Sequence, residues 1–214
     1  NITNKNVYSY DNGWVTAQSP MPGGDGEEGS PWASLGNNLN LRYSEDIYFI
    51  DCAKINASII DWHKGGKYYD YANNCLDIAG NFSNRYDVLW QEGSQDNYYS
   101  YNSNFFYDTI TELLRPNSNW YISISTYGSG EINRISKLED IVLLTVNYDN
   151  IYLGAYMDNK CMSNPPFNQE ETEELVVMWE DKIINNEKPL FVNSIYSYCG
   201  NLITYGDFFL LIGI

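Results

Sequence analysis

The sequence predicts a mainly β protein, an antiparallel β-sandwich or barrel carrying one or two short helices. Three observations lead there. Residues 141–157, IVLLTVNYDNIYLGAYM, open with an apolar, β-branched-rich run and return as a second apolar run after Tyr148, Asp149 and Asn150, which reads as a buried central hairpin. The chain holds 20 Tyr and 6 Trp, residues whose flat rings pack well on a pleated surface. Turn signals such as Asn12-Gly13 and Gly65-Gly66 separate short runs along its length.

In chain order, residues 1–6 are expected to be a flexible lead-in and VYSYDNGWVTA a first hairpin about Asn12-Gly13. PMPGGDGEEGSP, residues 20–31, is glycine, proline and acid, and predicts a flexible loop. Its Asp25, Glu27 and Glu28 lack the spacing of a calcium loop. Leu39 to Asn56 gives one or two strands, with YFIDCAKI the apolar part. IIDWHKGGKYYDY predicts a hairpin turning at Gly65-Gly66, with Ile60, Trp62, Tyr69 and Tyr71 facing the core and Asp61, His63, Tyr68 and Asp70 facing solvent.

YDVLWQ, residues 86–91, predicts another strand, and the aromatic stretch after it, with Tyr98, Tyr99, Tyr101, Phe105 and Phe106, a loop. Thr109 to Arg115 reads equally as a brief helix or a strand before Pro116. NWYISISTYGSG alternates as a strand running into a glycine-rich turn. NQEETEELVVMWEDKIINN carries an Asn168/Glu171 capping pair and Leu175, Met178, Trp179 and Ile183 at helical spacing, so a helix is expected over 169–186, although LVVMW also reads as a buried strand. PLFVNSIYSYC, NLITYG and DFFLLIGI are expected as three closing strands of a single domain spanning residues 1–214. The first residue, Asn1, and the apolar end predict a piece of a longer chain.

With 12 basic and 28 acidic residues the net charge is −16, which opposes binding to a phosphate backbone, and no window is apolar enough for membrane insertion. Cys52, Cys75, Cys161 and Cys199 lie too far apart for a zinc site or a redox dithiol. They read as four buried thiols or as two disulfides, Cys52 with Cys75 and Cys161 with Cys199. Sequons occur at Asn1, Asn56 and Asn81, but 27 Asn and 26 Ser plus Thr in 214 residues give about three by chance, so they carry no weight.

His63 is the only histidine, and it lies beside Lys64 with no nucleophile motif near it, which argues against triad chemistry. No metal site or phosphate loop is present, so no cofactor is expected. Glycoside hydrolysis needs only two carboxylates, yet nothing singles out Glu92, Glu131 or Glu174 from the other acids. Recognition without catalysis fits the composition better, because Tyr with Asn and Ser makes a rigid, adaptable contact surface. Tyr98, Tyr99, Tyr101, His63 and Tyr68 are the expected ligand-binding residues.

NWYISISTYGSGEINRIS resembles a segment of hepevirus capsid protruding domains, in which an I-S-T-Y strand leads into a glycine-containing turn. Size, acidity, the missing Met, the apolar end and the expected β-richness are similar to astrovirus capsid spikes. The resemblance implies a dimeric spike on the virion surface that attaches to a host receptor, glycan or protein, meets neutralising antibodies and catalyses nothing. A secreted carbohydrate-binding module or β-sandwich glycoside hydrolase is the alternative.

Overall fold

A computed structural model describes residues 6–25, 30–55, 57–91, 103–123, 131–155, 169–186, 188 and 208–213. The expected sandwich or barrel is not what forms. Among the described residues are six helices, and the strands β1 (Val7–Tyr10), β2 (Trp14–Thr16), β3 (Ile47–Asp51), β4 (Tyr86–Gln91), β5 (Ser118–Ser123), β6 (Ile151–Leu153) and β7 (Phe208–Gly213) make one open sheet in the order β2-β1-β3-β7-β4-β5-β6. β4, β5 and β6 pair in parallel, as do β1 and β3. β7 is antiparallel to both β3 and β4 and joins the two halves. The carboxyl ends of β1, β3, β4, β5 and β6 therefore share one edge, the arrangement of a mixed α/β fold.

The misreading has a physical cause. Ile141 to Val146 lies in α5 (Glu131–Asn147), where Leu138, Ile141 and Leu144 recur every three residues as a buried stripe while Leu143 and Val146 face solvent. A six-residue run with one threonine among five apolar residues satisfies strand and helix alike, and length decides between them. The turn at Tyr148–Asn150 is real, but it joins α5 to β6.

Gly65 also sits in a true turn, with φ of +86°, but it connects α2 (Ile59–Trp62) to α3 (Tyr69–Phe82) and makes no hairpin. Ile60, expected in the core, is exposed, whereas Trp62 is fully buried. Besides α2, α3 and α5, two further helices depart from expectation: α1 (Trp32–Tyr43) takes in the start of the strand region expected from Leu39, and α4 (Ser103–Leu113) begins inside the expected loop. The hairpin at Asn12-Gly13 forms as expected, and α6 (Gln169–Asn185) takes the helical alternative. Of the three expected closing strands, β7 is present and the other two lie outside the described residues.

Period-two alternation along the strands divides the interior. Ile50, Val88, Trp90, Trp120 and Ile122 face α2 to α5, and Val7, Ile47, Phe49, Leu89 and Tyr121 face α1 and α6. α1 approaches β1 and β3 closely because residue 36 is glycine, since a Cβ there would run into Val7 and Phe49. α1 and α6 meet through Trp32 and Trp179, with ring centroids 5.8 Å apart, and through Glu180, which accepts hydrogen bonds from Asn38 and Arg42.

Cys52 and Cys75 are joined in a disulfide, which selects one of the two readings for that pair; Cys161 and Cys199 lie outside the described residues. Closing a loop of this size removes unfolded-chain entropy worth about 3 kcal/mol.

Candidate functional site

The shared carboxyl edge is where an open α/β sheet receives its ligands, in the crevice between strands whose connections leave toward opposite faces. In this chain β3 leads into α2 and α3 on one face, while the segment after the β1–β2 hairpin leads into α1 on the other. Between them runs a loop without regular structure, Ala17 to Asp25, which the glycines and prolines foretold. It climbs back along β1: Ala17 donates its N–H to Val7 O, and the Ser9 hydroxyl donates to Pro22 O at 2.6 Å. Met21 is buried, and Gly24 presses on the Asp51 carboxylate so closely that a Cβ at position 24 would collide with Oδ2.

Three strands close with a polar residue on the α1/α6 face, namely Asp51, Gln91 and Ser123, and β1 contributes Ser9 one residue before its end. Ser9, Gln91 and Ser123 are buried, while Asp51 keeps a strip of solvent contact. Buried polar side chains gathered at one edge are expensive unless they serve a ligand or each other; at the far end of the same face the buried Asp87 is served by Asn119.

Burial pushes the Asp51 carboxyl up to about 6 even though it accepts the Ala53 N–H at 3.0 Å; the neighbouring Asp25 raises it further and Lys54 opposes. The Lys54 ammonium lies 2.8 Å from Asp25 Oδ1 and 4.3 Å from the centroid of the Tyr71 ring. Burial works against the Lys54 charge, but the hydrogen bond to Asp25 and the nearby Tyr71 outweigh it and hold its pKa above the usual lysine value. Tyr71 is raised by burial, against the pull of Lys54. An acid that titrates near neutrality beside a fixed cation and a phenol can accept hydrogen bonds from a ligand or exchange a proton with it.

The expected binding residues are placed elsewhere. Tyr98, Tyr99 and Tyr101 lie outside the described residues, as does Glu92. His63 and Tyr68 flank the α2–α3 turn: His63 packs edge-on against Phe105, with centroids 4.8 Å apart, and Tyr68 lies against Trp62 at 5.3 Å with Lys67 over its ring. Tyr68 is one helical turn before Tyr71 and packs on the α2–α5 side of the sheet, away from the polar row on the α1/α6 face. Glu131 opens α5 and Glu174 lies in α6, and these two helices cover opposite faces of the sheet. The residues missed by sequence reasoning, Asp51, Gln91 and Ser123, did carry a signal, because each ends an apolar run in IYFID, YDVLWQ and NWYIS. No group of three or more His, Cys, Asp or Glu among the described residues is arranged to hold a metal ion, and no described helix is long and apolar enough to cross a membrane.

No family model matches the chain, and no curated protein matches it in sequence. Among solved structures it is similar to an Arabidopsis thaliana protein determined by X-ray crystallography, with a TM-score of 0.67 and 17% identity over 86% of this chain and 82% of that one. At that identity the likeness establishes the mixed α/β fold and says nothing of the chemistry.

Proposed function

We propose that this chain binds a neutral, hydroxyl-rich small molecule of the sugar class at the carboxyl edge of its sheet. The observation that carries the reading is the set Ser9, Asp51, Gln91 and Ser123, which places hydroxyl, carboxylate and amide groups on one face at the carboxyl ends of β1, β3, β4 and β5, in two pairs on either side of β7. Such groups match the alternating donors and acceptors of a polyol. A net charge of −16 disfavours anionic ligands, and the Lys54 ammonium is already occupied by Asp25. The receptor-binding spike suggested by the capsid resemblance loses the β-sandwich on which it leaned and retains only an acidic, tyrosine-rich composition as support.

The test is a glycan array followed by calorimetry with the best-bound sugar. Asp51→Asn is expected to weaken binding by about ten- to a hundredfold at pH 7.5, the worth of a charge-assisted hydrogen bond. Its urea-unfolding midpoint should not fall, because the substitution removes a buried charge. Wild-type affinity should also decline below pH 6, as the carboxylate takes up a proton and loses acceptor capacity. Equal affinity for wild type and variant would place the ligand elsewhere. Mass analysis of the recovered sugar decides whether binding is accompanied by cleavage.

Gly24→Val gives an independent reading. Its side chain would meet the Asp51 carboxylate and lift the loop, separating Asp25 from Lys54. Sugar affinity is expected to drop by about tenfold or more, with a stability loss of about 1–3 kcal/mol from the overpacked contact that leaves the domain folded.

A further inference from the structure

Three members of the candidate site, Asp51, Lys54 and Tyr71, come from two segments, the end of β3 and the start of α3. Asp51 and Lys54 lie at the end of β3 and just beyond it, and Tyr71 lies in the first turn of α3. Cys52 follows Asp51 directly, and Cys75 is one helical turn after Tyr71, on the same side of α3. The alternation of β3 turns Asp51 toward the α1/α6 face and Cys52 toward α3. The disulfide between them spans a Cα–Cα distance of 6.4 Å and is buried beneath the site, with Cys52 fully enclosed. It is therefore the one covalent tie between the two segments among the described residues, placed where their functional side chains meet.

We propose that the Cys52–Cys75 disulfide is the positioning clamp of the ligand site, holding the segment after β3 against α3 so that Asp51, Lys54 and Tyr71 keep one arrangement, and that this arrangement depends on an oxidising environment. The inference rests on the ligand-binding reading above. Cys52 and Cys75 belong to the same buried cluster as the side chains of β4, β5, α4 and α5, but the ladders that join β4, β5 and β6 do not run through them, so the clamp's effect on the site is expected to exceed its effect on those strands. Without it, the β3 segment gains the freedom to leave α3, Lys54 moves off Tyr71, and water reaches the Asp51 carboxylate. The charged and titratable groups around Asp51 are Asp25 from the loop, Lys54 from its own segment and Tyr71 from α3, so the acid reports on all three segments.

The experiment compares the disulfide-bonded full chain with the Cys52→Ala/Cys75→Ala double variant, following the side-chain carboxyl signals of Asp51 and Asp87 by NMR as pH is varied, with no ligand present. Asp87 lies at the opposite edge of the sheet and serves as an internal control. In the double variant the Asp51 midpoint is expected to fall from about 6 by about one unit or more, toward an ordinary carboxyl, with the Asp87 midpoint unmoved and the amide spectrum still dispersed. An unmoved Asp51 in a folded variant overturns the proposal. So does a parallel shift of both acids, which would mean general loosening. If the double variant does not fold, the wild-type chain reduced with a phosphine is measured by the same criteria; unfolding there too overturns the proposal, because the bridge would then be a staple of the whole fold. Since no sugar is used, a failure to bind sugar leaves this outcome unaffected.

Discussion

Trp90→Ala is expected to cost about 3–5 kcal/mol, enough to leave a domain of ordinary stability at the margin of unfolding. Trp90 is fully buried at the centre of the sheet, with the Trp62 ring 6.0 Å away on α2 and the Trp120 ring 6.1 Å away on β5. Truncation removes the middle of three indoles that tie a helix to two parallel strands. None of the three can collapse into the gap without leaving its own backbone position, so most of the cavity persists. Urea unfolding followed by tryptophan fluorescence measures the loss. Leu41→Ala is the matched control: Leu41 is 80% exposed on α1, and its removal should change stability by less than about 0.5 kcal/mol.

Asp87→Asn is expected to stabilise the protein by about 3 kcal/mol at pH 8 and to leave it nearly unchanged at pH 4. Asp87 is buried on β4, where burial raises its pKa from 3.8 to about 6 against the single hydrogen bond it accepts from Asn119, at 2.9 Å. The native state therefore holds its proton more tightly than the unfolded chain. The stability this provides is complete below pH 3.8, declines as pH rises through about 6, and is absent above that, where a buried carboxylate is left ionised. Asn keeps the shape and the hydrogen-bonding capacity without the charge. Urea titrations of wild type and variant at pH 4, 5, 6 and 8 read the difference directly. A variant less stable than wild type at pH 8 would mean that the ionised carboxylate is better served than its surroundings indicate.

Much of the local structure was legible in the sequence. Asn12-Gly13 marked a hairpin because two consecutive residues off the usual backbone regions favour those types, and Asn12 does adopt a φ of +53°. YDVLWQ and NWYIS were read as strands, and the acids and apolar spacing of 169–186 as a helix, and β4, β5 and α6 form there, while the rest of the expected NWYISISTYGSG strand and turn lies outside the described residues. The fold class was lost at α5 and at the α2–α3 pair. IVLLTV has no polar residue until its fifth position, so its periodicity was silent, and Gly65-Gly66 signals a turn without saying whether helices or strands flank it. Once those segments became helices, the strands could no longer be joined by hairpins, and parallel pairing with crossovers followed. The site was obscured for the same reason. Asp51, Gln91 and Ser123 are ordinary residues in an antiparallel sandwich, and their common position appears only when their strands run in the same direction.

The most direct measurement is amide chemical-shift mapping during titration with the tightest-binding neutral sugar from the array. Binding at the carboxyl edge predicts that the largest shifts fall at Ser9, Gly24, the segment from Asp51 to Lys54, Gln91 and Ser123. Shifts confined to the α2–α3 turn around His63 and Tyr68, or to the outer face of α5, would contradict the account, as would the absence of any sugar that binds.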